Sequence, residues 1–323
     1  MRESLFHNDV CPMSKQEWGM KMSKNMLFVY NPRAGKARIR SNLLDIIDVF
    51  VKAGYEVTAY PTQASGDAVK AVRERRAGYD IVVCSGGDGT LDEVVTGMMQ
   101  CEEKLPIGYV PAGSTNDFAN SLGIPRSMIK AADTVVNGKN FGCDIGAFND
   151  DSFIYVAAFG MFTDVSYATK QDMKNLLGHT AYLLEGVKRL SSIKSYPMRI
   201  SYEDACLEGD YIYGMITNSI SVGGFKGITG KDVELNDGLF EVLLVKRPVN
   251  PLELNNMITA LVDKRTHSEL IHCFKTDRLI IESEERVAWT LDGEFGGEHC
   301  KAVIENCKQA LEIRVPDNEK ISG

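Results

Sequence analysis

The chain has 323 residues, 44% of them apolar and 25% charged, and a formal net charge of −8. That is enough chain for two ordinary domains, and the composition is that of a globular protein rather than a disordered or fibrous one. The acidic balance argues against nucleic acid as the main partner, and no apolar run approaches the ~20 residues that span a bilayer.

Residues 1–23 are polar and mixed and lack the apolar stretch of a secretory signal, so they read as a dispensable or disordered leader. Met26–Tyr30 then reads as a strand, and Ile39 to Ala53 as a helix ending at Gly54, a good C-cap residue. Tyr55–Tyr60 is a second strand. Ser65 and Gly66 open a helix over Asp67–Arg75, and Ile81–Cys84 is a third, fully apolar strand. A helix over Leu91–Cys101 and a strand over Ile107–Val110 complete the series. Strands separated by helices of this length predict β-α-β units and a parallel sheet, with ligands bound beyond the carboxyl ends of the strands.

Three loops leave those ends. Ser85-Gly86-Gly87-Asp88-Gly89-Thr90 places three glycines around a carboxylate where a strand turns into a helix. Backbone amides can approach a phosphate closely there, and the helix N-terminus adds unpaired N–H groups. Asp88 supplies a carboxylate for the magnesium that accompanies a nucleoside triphosphate. No Gly-Lys-Ser/Thr follows, so this is not a Walker A loop. Asn31-Pro32-Arg33-Ala34-Gly35-Lys36, with Arg38 and Arg40 beyond, offers cations to phosphate oxygens. By itself it reads equally as a solvated turn. Pro111–Phe118 contains the hydroxyls of Ser114 and Thr115, with Asn116 or Asp117 placed to cap the next helix. Asp92 and Glu93, in the first turn after the glycine loop, complement its helix dipole.

The character changes near Gly142. Gly142–Phe148, the Asn149-Asp150-Asp151 turn and Phe153–Phe159 predict a hairpin. Further β-like runs lie at Met198–Tyr202, Tyr211–Thr217, Leu239–Val245, Arg278–Glu282 and Val287–Leu291, with helical patterns at His179–Leu190 and Leu252–Lys264. Many strands with few helices suggest an antiparallel sandwich or barrel. Ala310–Val315 alternates and is expected to return as a strand against one of the two domains. Eight scattered cysteines without a C-x-x-C pair point to reduced thiols in the cytosol, and the five histidines show no ligand spacing.

Six segments in this order are carried by the chain: NPRAGK at Asn31, SGGDGTLDEVVTG at Ser85, PAGSTNDFA at Pro111, LGHTAYLLEGVKRL at Leu177, LNDGLFEV at Leu235 and LDGE at Leu291. Together they resemble the catalytic-domain family of the diacylglycerol kinases, which includes bacterial soluble lipid kinases and the sphingosine and ceramide kinases. GGDGT alone is shared with NAD kinases and phosphofructokinases, so the downstream segments carry the specificity. The resemblance spans about Met26 to Pro316. It implies an α/β N-terminal domain with a parallel sheet like that of NAD kinase and phosphofructokinase, followed by a mainly antiparallel, sandwich-like β domain. The expected divisions are 24–141 for nucleotide, 142–299 for the lipid substrate, and a 300–323 segment returning to the first domain.

The resemblance also implies roles. Asn31, Pro32, Arg33, Ala34, Gly35 and Lys36, with Ser85, Gly86, Gly87, Asp88, Gly89, Thr90 and Leu91, would line ATP, and Thr62 and Ser114 would add contacts. Asp88 would organise a catalytic magnesium. Asp292 and Glu294 match the DGE segment, one carboxylate of which takes the proton from the lipid hydroxyl. Asp237, with the carbonyls of Glu234 and Leu239, matches a structural magnesium site. Asp92 departs from the Asn usual after GGDGT-Leu, and Ser114 from a common Thr. The expected activity is ATP- and magnesium-dependent phosphorylation of a membrane lipid hydroxyl, foremost diacylglycerol to phosphatidic acid. Kinases of another lipid or of a soluble substrate such as NAD, and a non-catalytic nucleotide- or lipid-binding regulator, are the alternatives. A cytoplasmic protein transiently at the inner face of the membrane is expected, and a homodimer is compatible with the many exposed strands. His179–Leu190, with Lys170, Lys174, Lys188 and Arg189 in or around it, reads either as a packed helix or as one resting on an anionic bilayer.

Overall fold

The structure, a computed structural model, describes residues 24–114, 116–160, 194–219, 221–222, 225–226, 233–262 and 267–317. The helical pattern at His179–Leu190 lies outside them. The first half runs β1 (Lys24–Tyr30), α1 (Ala34–Ala37), α2 (Ile39–Lys52), β2 (Tyr55–Pro61), α3 (Asp67–Arg75), β3 (Ile81–Gly86), α4 (Asp88–Met99), β4 (Ile107–Pro111), α5 (Asp117–Ser121) and α6 (Met128–Asn137). The second half begins with β5 (Lys139–Phe148), β6 (Asp151–Phe153), β7 (Val156–Gly160), β8 (Tyr196–Tyr202) and β9 (Ala205–Thr217). It continues with β10 (Ser221–Val222), β11 (Phe225–Lys226), β12 (Phe240–Lys246), α7 (Pro251–Val262), β13 (His267–Ser268), β14 (Ile271–Thr276), β15 (Arg278–Leu291) and β16 (Glu294–Val315).

In the first half β1 pairs in parallel with β2 and β3, and β3 with β4. Every residue of β3 and β4 is buried, as a strand covered on both faces requires. Met26, Phe28, Val83, Val94 and Met98 are among the fully buried side chains of this core. The second half is mostly β and pairs antiparallel throughout its main ladder, β14-β12-β9-β7-β15-β16. Trp289 anchors its core, with the rings of Phe148 and Phe159 each 4.9 Å away. Strand β12 serves both cores: Phe240, Val242 and Leu244 point into one, Leu243 and Val245 into the other.

Three expectations are corrected. The 300–323 segment does not begin as a separate piece, because β16 starts at Glu294, pairs antiparallel with β5 and β15 and then in parallel with β4 at Ile313↔Ile107. One 14-stranded sheet results among the described residues, and β16 runs unbroken through residue 300. Second, the run Phe153–Phe159 is not one hairpin arm. It breaks between β6, which pairs β5, and β7, which pairs β9 and β15. The break falls where the N–H groups of Ile154, Tyr155 and Val156 all donate to the Asp292 carboxylate. Third, α4 begins at Asp88 rather than at Leu91, so the acidic residue of the glycine loop belongs to a helix.

Asp144, fully buried on β5, ties the loop before β12 to a bulge in β16. Its carboxylate accepts the N–H of Gly238 at 2.7 Å and that of Gln309 at 2.7 Å. Gln309 has φ 47, a left-handed conformation that an unsupported glutamine disfavours. Asp144→Ala strands both donors, each at about 1–3 kcal/mol. Urea unfolding is therefore expected to show a loss of about 2–6 kcal/mol, and a loss within error of zero would contradict this account.

Candidate active site

Three turns at the carboxyl ends of β1, β3 and β4 are fastened to one another. The Asn31 N–H donates to the Ser85 carbonyl at 2.8 Å, and the Asn31 amide reaches the Thr90 hydroxyl at 3.4 Å. The Asn31 Oδ1 in turn accepts the Arg33 N–H at 2.9 Å, folding NPRAGK back on itself. The Gly86 carbonyl accepts the N–H groups of Ala112 and Gly113. The packing leaves no room for side chains. A Cβ on Gly35, at φ 53, would stand 1.7 Å from the Ala112 carbonyl oxygen, and one on Gly113 would stand 2.7 Å from the Gly87 Cα.

Gly87 is the N-cap of α4, whose first residues thus aim their amides between these turns. Asp88, the first helical residue, accepts the Asp117 N–H on Oδ2 at 3.3 Å. Its Oδ1 is buried without a hydrogen-bond partner among the described residues. Burial pushes its pKa up, while backbone N–H groups of Asp117, Phe118 and Asn116 pull it down. A half-buried carboxylate with one unused oxygen is what a divalent cation takes, so the residue fits a metal.

Across the cleft, α3 presents the other helix N-terminus, and it is already filled. Glu93 accepts the N–H of Gly66 at 2.8 Å and of Ala68 at 3.1 Å, with the Ser65 hydroxyl at 3.4 Å. This carboxylate caps a neighbouring helix rather than complementing its own. An anionic ligand is accordingly left with the α4 end.

The second half enters at the β15–β16 turn, where Asp292 (φ 51) and Gly293 (φ 90) form a two-residue Asp-Gly hairpin between the paired residues Leu291 and Glu294. Asp292 is 5% exposed. Its Oδ2 accepts the Ile154 N–H at 2.6 Å, and its Oδ1 those of Tyr155 and Val156 at 3.0 and 2.9 Å. The Tyr155 hydroxyl donates to the Asp292 carbonyl at 3.0 Å. Burial raises the carboxyls of Asp292 and of Asp92, on α4, above their ordinary range. Glu294 by contrast is exposed and lines the cleft, its Oε1 3.7 Å from where a Cβ on Gly89 would stand.

The cleft so formed is about 800 Å³. Of the residues expected to bind nucleotide, Asn31, Arg33, Ala34, Gly35, Thr62, Gly87, Gly89 and Thr90 line it, together with Glu294 from the second half. Ser85 and Leu91 are fully buried beneath the loop, and the Gly86 side of the turn is filled by the Thr90 side chain. Pro32, Asp88 and the exposed Ser114 do not line it, and Lys36 lies within α1. Asp92, Glu93 and Phe295 line it without having been singled out as site residues. Their only signal was adjacency to GGDGT and to DGE.

Glu234, Asp237 and Leu239 lie on the loop before β12, away from the cleft lining. Glu234 is exposed. The Asp237 carboxylate accepts the Leu239 N–H at 2.9 Å and faces the Lys275 ammonium at 3.3 Å, and that ammonium also meets Glu241 at 3.0 Å. Among the described residues no three Asp, Glu, His or Cys side chains converge as a metal centre.

A family model described as diacylglycerol kinase catalytic domain matches residues 25–148. A diacylglycerol kinase of Bacillus subtilis (strain 168) is 35% identical over 277 residues, 85% of this chain and 91% of the relative. The chain belongs to the diacylglycerol kinase family. A second relative so named, from Staphylococcus saprophyticus, is 33% identical over 301 residues, covering 93% of this chain and 98% of its own. The crystal structure of a diacylglycerol kinase from Bacillus anthracis str. Sterne shares the fold, with a TM-score of 0.71 at 23% identity over 91% of this chain and 97% of that one. Membership makes this chain a lipid kinase, with ATP and a divalent metal implied by the family. No helix among the described residues is long and apolar enough to cross a membrane.

The glycine contacts give a direct test of the cradle. Gly35→Ala forces the β1 and β4 turns apart and adds a left-handed strain of about 1–2 kcal/mol. ATP affinity measured by calorimetry is expected to fall at least about tenfold, the equivalent of 1.4 kcal/mol. Unchanged affinity would show that the two turns do not form the binding cradle together.

Proposed function

We propose that this kinase transfers the γ-phosphoryl group of ATP, with magnesium, to the free hydroxyl of diacylglycerol and so produces phosphatidic acid. The observation that carries the reading is the meeting of two chemistries in one cleft: Gly87, Gly89 and Thr90 of the turn that opens α4 from the first half, with Asp88 between them and its Oδ1 buried, and the accessible carboxylate of Glu294 from the second.

In this reading the amides of the glycine turn hold the phosphates, and Arg33, in the cleft wall, supplies positive charge. Asp88 would hold the magnesium through its unused Oδ1. That ion, when bound, neutralises charge on the phosphates around the transferred group. Glu294 takes the proton of the acceptor hydroxyl. An alcohol has a pKa far above neutral, so the carboxylate is needed as the proton leaves in the transition state. Asp292, the other DGE carboxylate, has three backbone donors on its two oxygens, and we assign it to holding the turn rather than to proton transfer. Phe295 is 67% exposed next to Glu294. An apolar ring at the mouth supports a lipid acceptor over a soluble one, and contact with a membrane surface follows from such a substrate.

In the loop of Glu234, Asp237 and Leu239 a structural magnesium would be held by the Asp237 carboxylate, which faces the Lys275 ammonium at 3.3 Å, together with the carbonyls of Glu234 and Leu239.

Purified protein supplied with γ-labelled ATP, magnesium and mixed micelles of diacylglycerol, sphingoid base, ceramide or phosphatidylglycerol is expected to label diacylglycerol. Glu294→Gln is expected to lower kcat by at least about 100-fold while ATP still binds. Asp88→Asn is expected to abolish turnover and to remove magnesium-dependent tightening of ATP. Label in a different lipid would rename the substrate, and label in NAD without lipid would overturn the lipid reading. A fully active Glu294→Gln would remove Glu294 as the base.

A further inference from the structure

Besides the glycine turns, the cleft has a second wall. Thr62, Gln63, Ala64, Ser65 and Gly66, the loop between β2 and α3, all line it, and none of them carries a charge. The Thr62 N–H donates to the Tyr30 carbonyl at 2.9 Å, and the Gln63 N–H to the Asp67 carboxylate at 2.8 Å. The far end of the loop is held from outside. Gly66, the N-cap of α3 at φ 80, has no side chain to receive the first N–H groups of its helix. Glu93 of α4 receives them instead. Its Oε1 accepts the Gly66 N–H at 2.8 Å and the Ser65 hydroxyl at 3.4 Å, and its Oε2 accepts the Ala68 N–H at 3.1 Å. One turn further along α4, a Cβ on Gly97 would stand 2.7 Å from the Val69 carbonyl oxygen, so the same face of α4 is seated closely on α3.

We propose that Glu93 is a positioning residue of the donor site: it fixes the 62–66 loop against α4, so that this loop holds the nucleoside part of ATP while the glycine turn holds the phosphates. This rests on the reading that places the ATP phosphates at the α4 terminus. Helix α4 begins in the glycine turn, at Asp88, and carries Glu93 five residues on, about 7.5 Å along its axis. One rigid element therefore spaces the two walls. The charges divide the ligand in the same sense. An open helix N-terminus attracts phosphate, but Glu93 already uses N–H groups of α3 and sets a negative charge beside them. Phosphate is repelled from this wall, and the uncharged polar residues Thr62, Gln63 and Ser65 are left to line a place for a nucleoside.

Without Glu93 the N–H groups of Gly66 and Ala68 lose their partner and the loop loses its tie to α4. The turns that hold the phosphates are untouched. A defect at Glu93 therefore falls on the nucleoside end of the ligand, and a defect at Asp88 on the phosphate end. Glutamine keeps the length of Glu93 but offers one acceptor oxygen in place of two, so it retains part of the tie.

The test measures by calorimetry the binding of ATP and of inorganic tripolyphosphate, each with magnesium, to the full chain, Glu93→Gln and Glu93→Ala. The wild type is expected to bind both. Glu93→Ala is expected to bind ATP at least about tenfold more weakly, with tripolyphosphate within about threefold of the wild type. Glu93→Gln is expected to lose an intermediate factor in ATP affinity, again with tripolyphosphate held, and it decides the question should Glu93→Ala not fold. On diacylglycerol micelles the loss is expected in the KM for ATP, with kcat and the KM for diacylglycerol within about threefold, a split that a merely loosened fold does not produce. Unchanged ATP affinity in both variants would overturn the proposal, as would equal losses for ATP and tripolyphosphate. Asp88→Asn, measured beside them, separates the two readings. It is expected to weaken both ligands alike; if it weakens neither, the phosphates do not lie at α4, while the Glu93 comparison still decides whether the loop holds the nucleoside.

Discussion

A single carboxylate organises this molecule. Asp292 gathers the N–H groups of Ile154, Tyr155 and Val156, its own N–H donates to the Val156 carbonyl, and its carbonyl receives the Tyr155 hydroxyl. These bonds close chain separations of up to 138 residues. An anion buried to 5% exposure is tolerable only when such donors replace its hydration. The consequence is topological: the backbone at 154–156 serves the carboxylate instead of extending the β5–β6 ladder, so the chain leaves one partner and β7 joins β15 and β9. The same residue, at φ 51, turns β15 into β16 and sets where Glu294 emerges. Strand order and the proposed base position thus share one cause.

The cleft distributes its charges unevenly, and this selects where an anion goes. The N-termini of α3 and α4 both face the space, and both would attract phosphate. Glu93 fills the α3 end with its own carboxylate. The α4 end carries Asp88, whose Oδ1 has no protein partner among the described residues. A carboxylate there would repel phosphate unless a cation lies between them. The α4 terminus is therefore suited to a metal–phosphate pair rather than to bare phosphate, in keeping with a nucleoside triphosphate donor in this family.

Much of this was legible in the sequence, and the reasons differ by element. The first-half strands and helices are punctuated by residues with local effects, such as Gly54 and Gly66, both at positive φ at helix boundaries, so composition sufficed there. The loop residues brought to the cleft came from the same local logic. What was not legible depends on partners distant in the chain. The break at Ile154 cannot be read from an apolar run, because its cause sits at Asp292. Strand β14 escaped notice because His272, Cys273 and Lys275 interrupt any alternation, yet Lys275 is paired across the ladder with Glu241, whose carboxyl burial pushes up to about 7. Glu93 looked like an ordinary first-turn acid until α3 was seen against it.

The position of Glu294 is determined from both ends of the strand it begins. At its start, β16 is held by the Asp292 hairpin. Near its end, Ile313 pairs with Ile107 on β4, the strand that leads into the Pro111–Gly113 turn of the nucleotide cradle. The strand that starts with the proposed base therefore finishes in the sheet carrying the cradle. Between them β16 is irregular at two places: its register against β15 shifts between Phe295 and Glu298, where Gly297 has φ 88, and its register against β5 shifts between Cys307 and Leu311, where Asp144 accepts the Gln309 N–H and pins the left-handed residue. A strand fixed at its turn, at Gln309 and at its far end restrains the distance between Glu294 and the glycine loop. Transfer between the halves depends on that distance, because a reacting group displaced by about 1 Å can cost a factor of about 100 in rate.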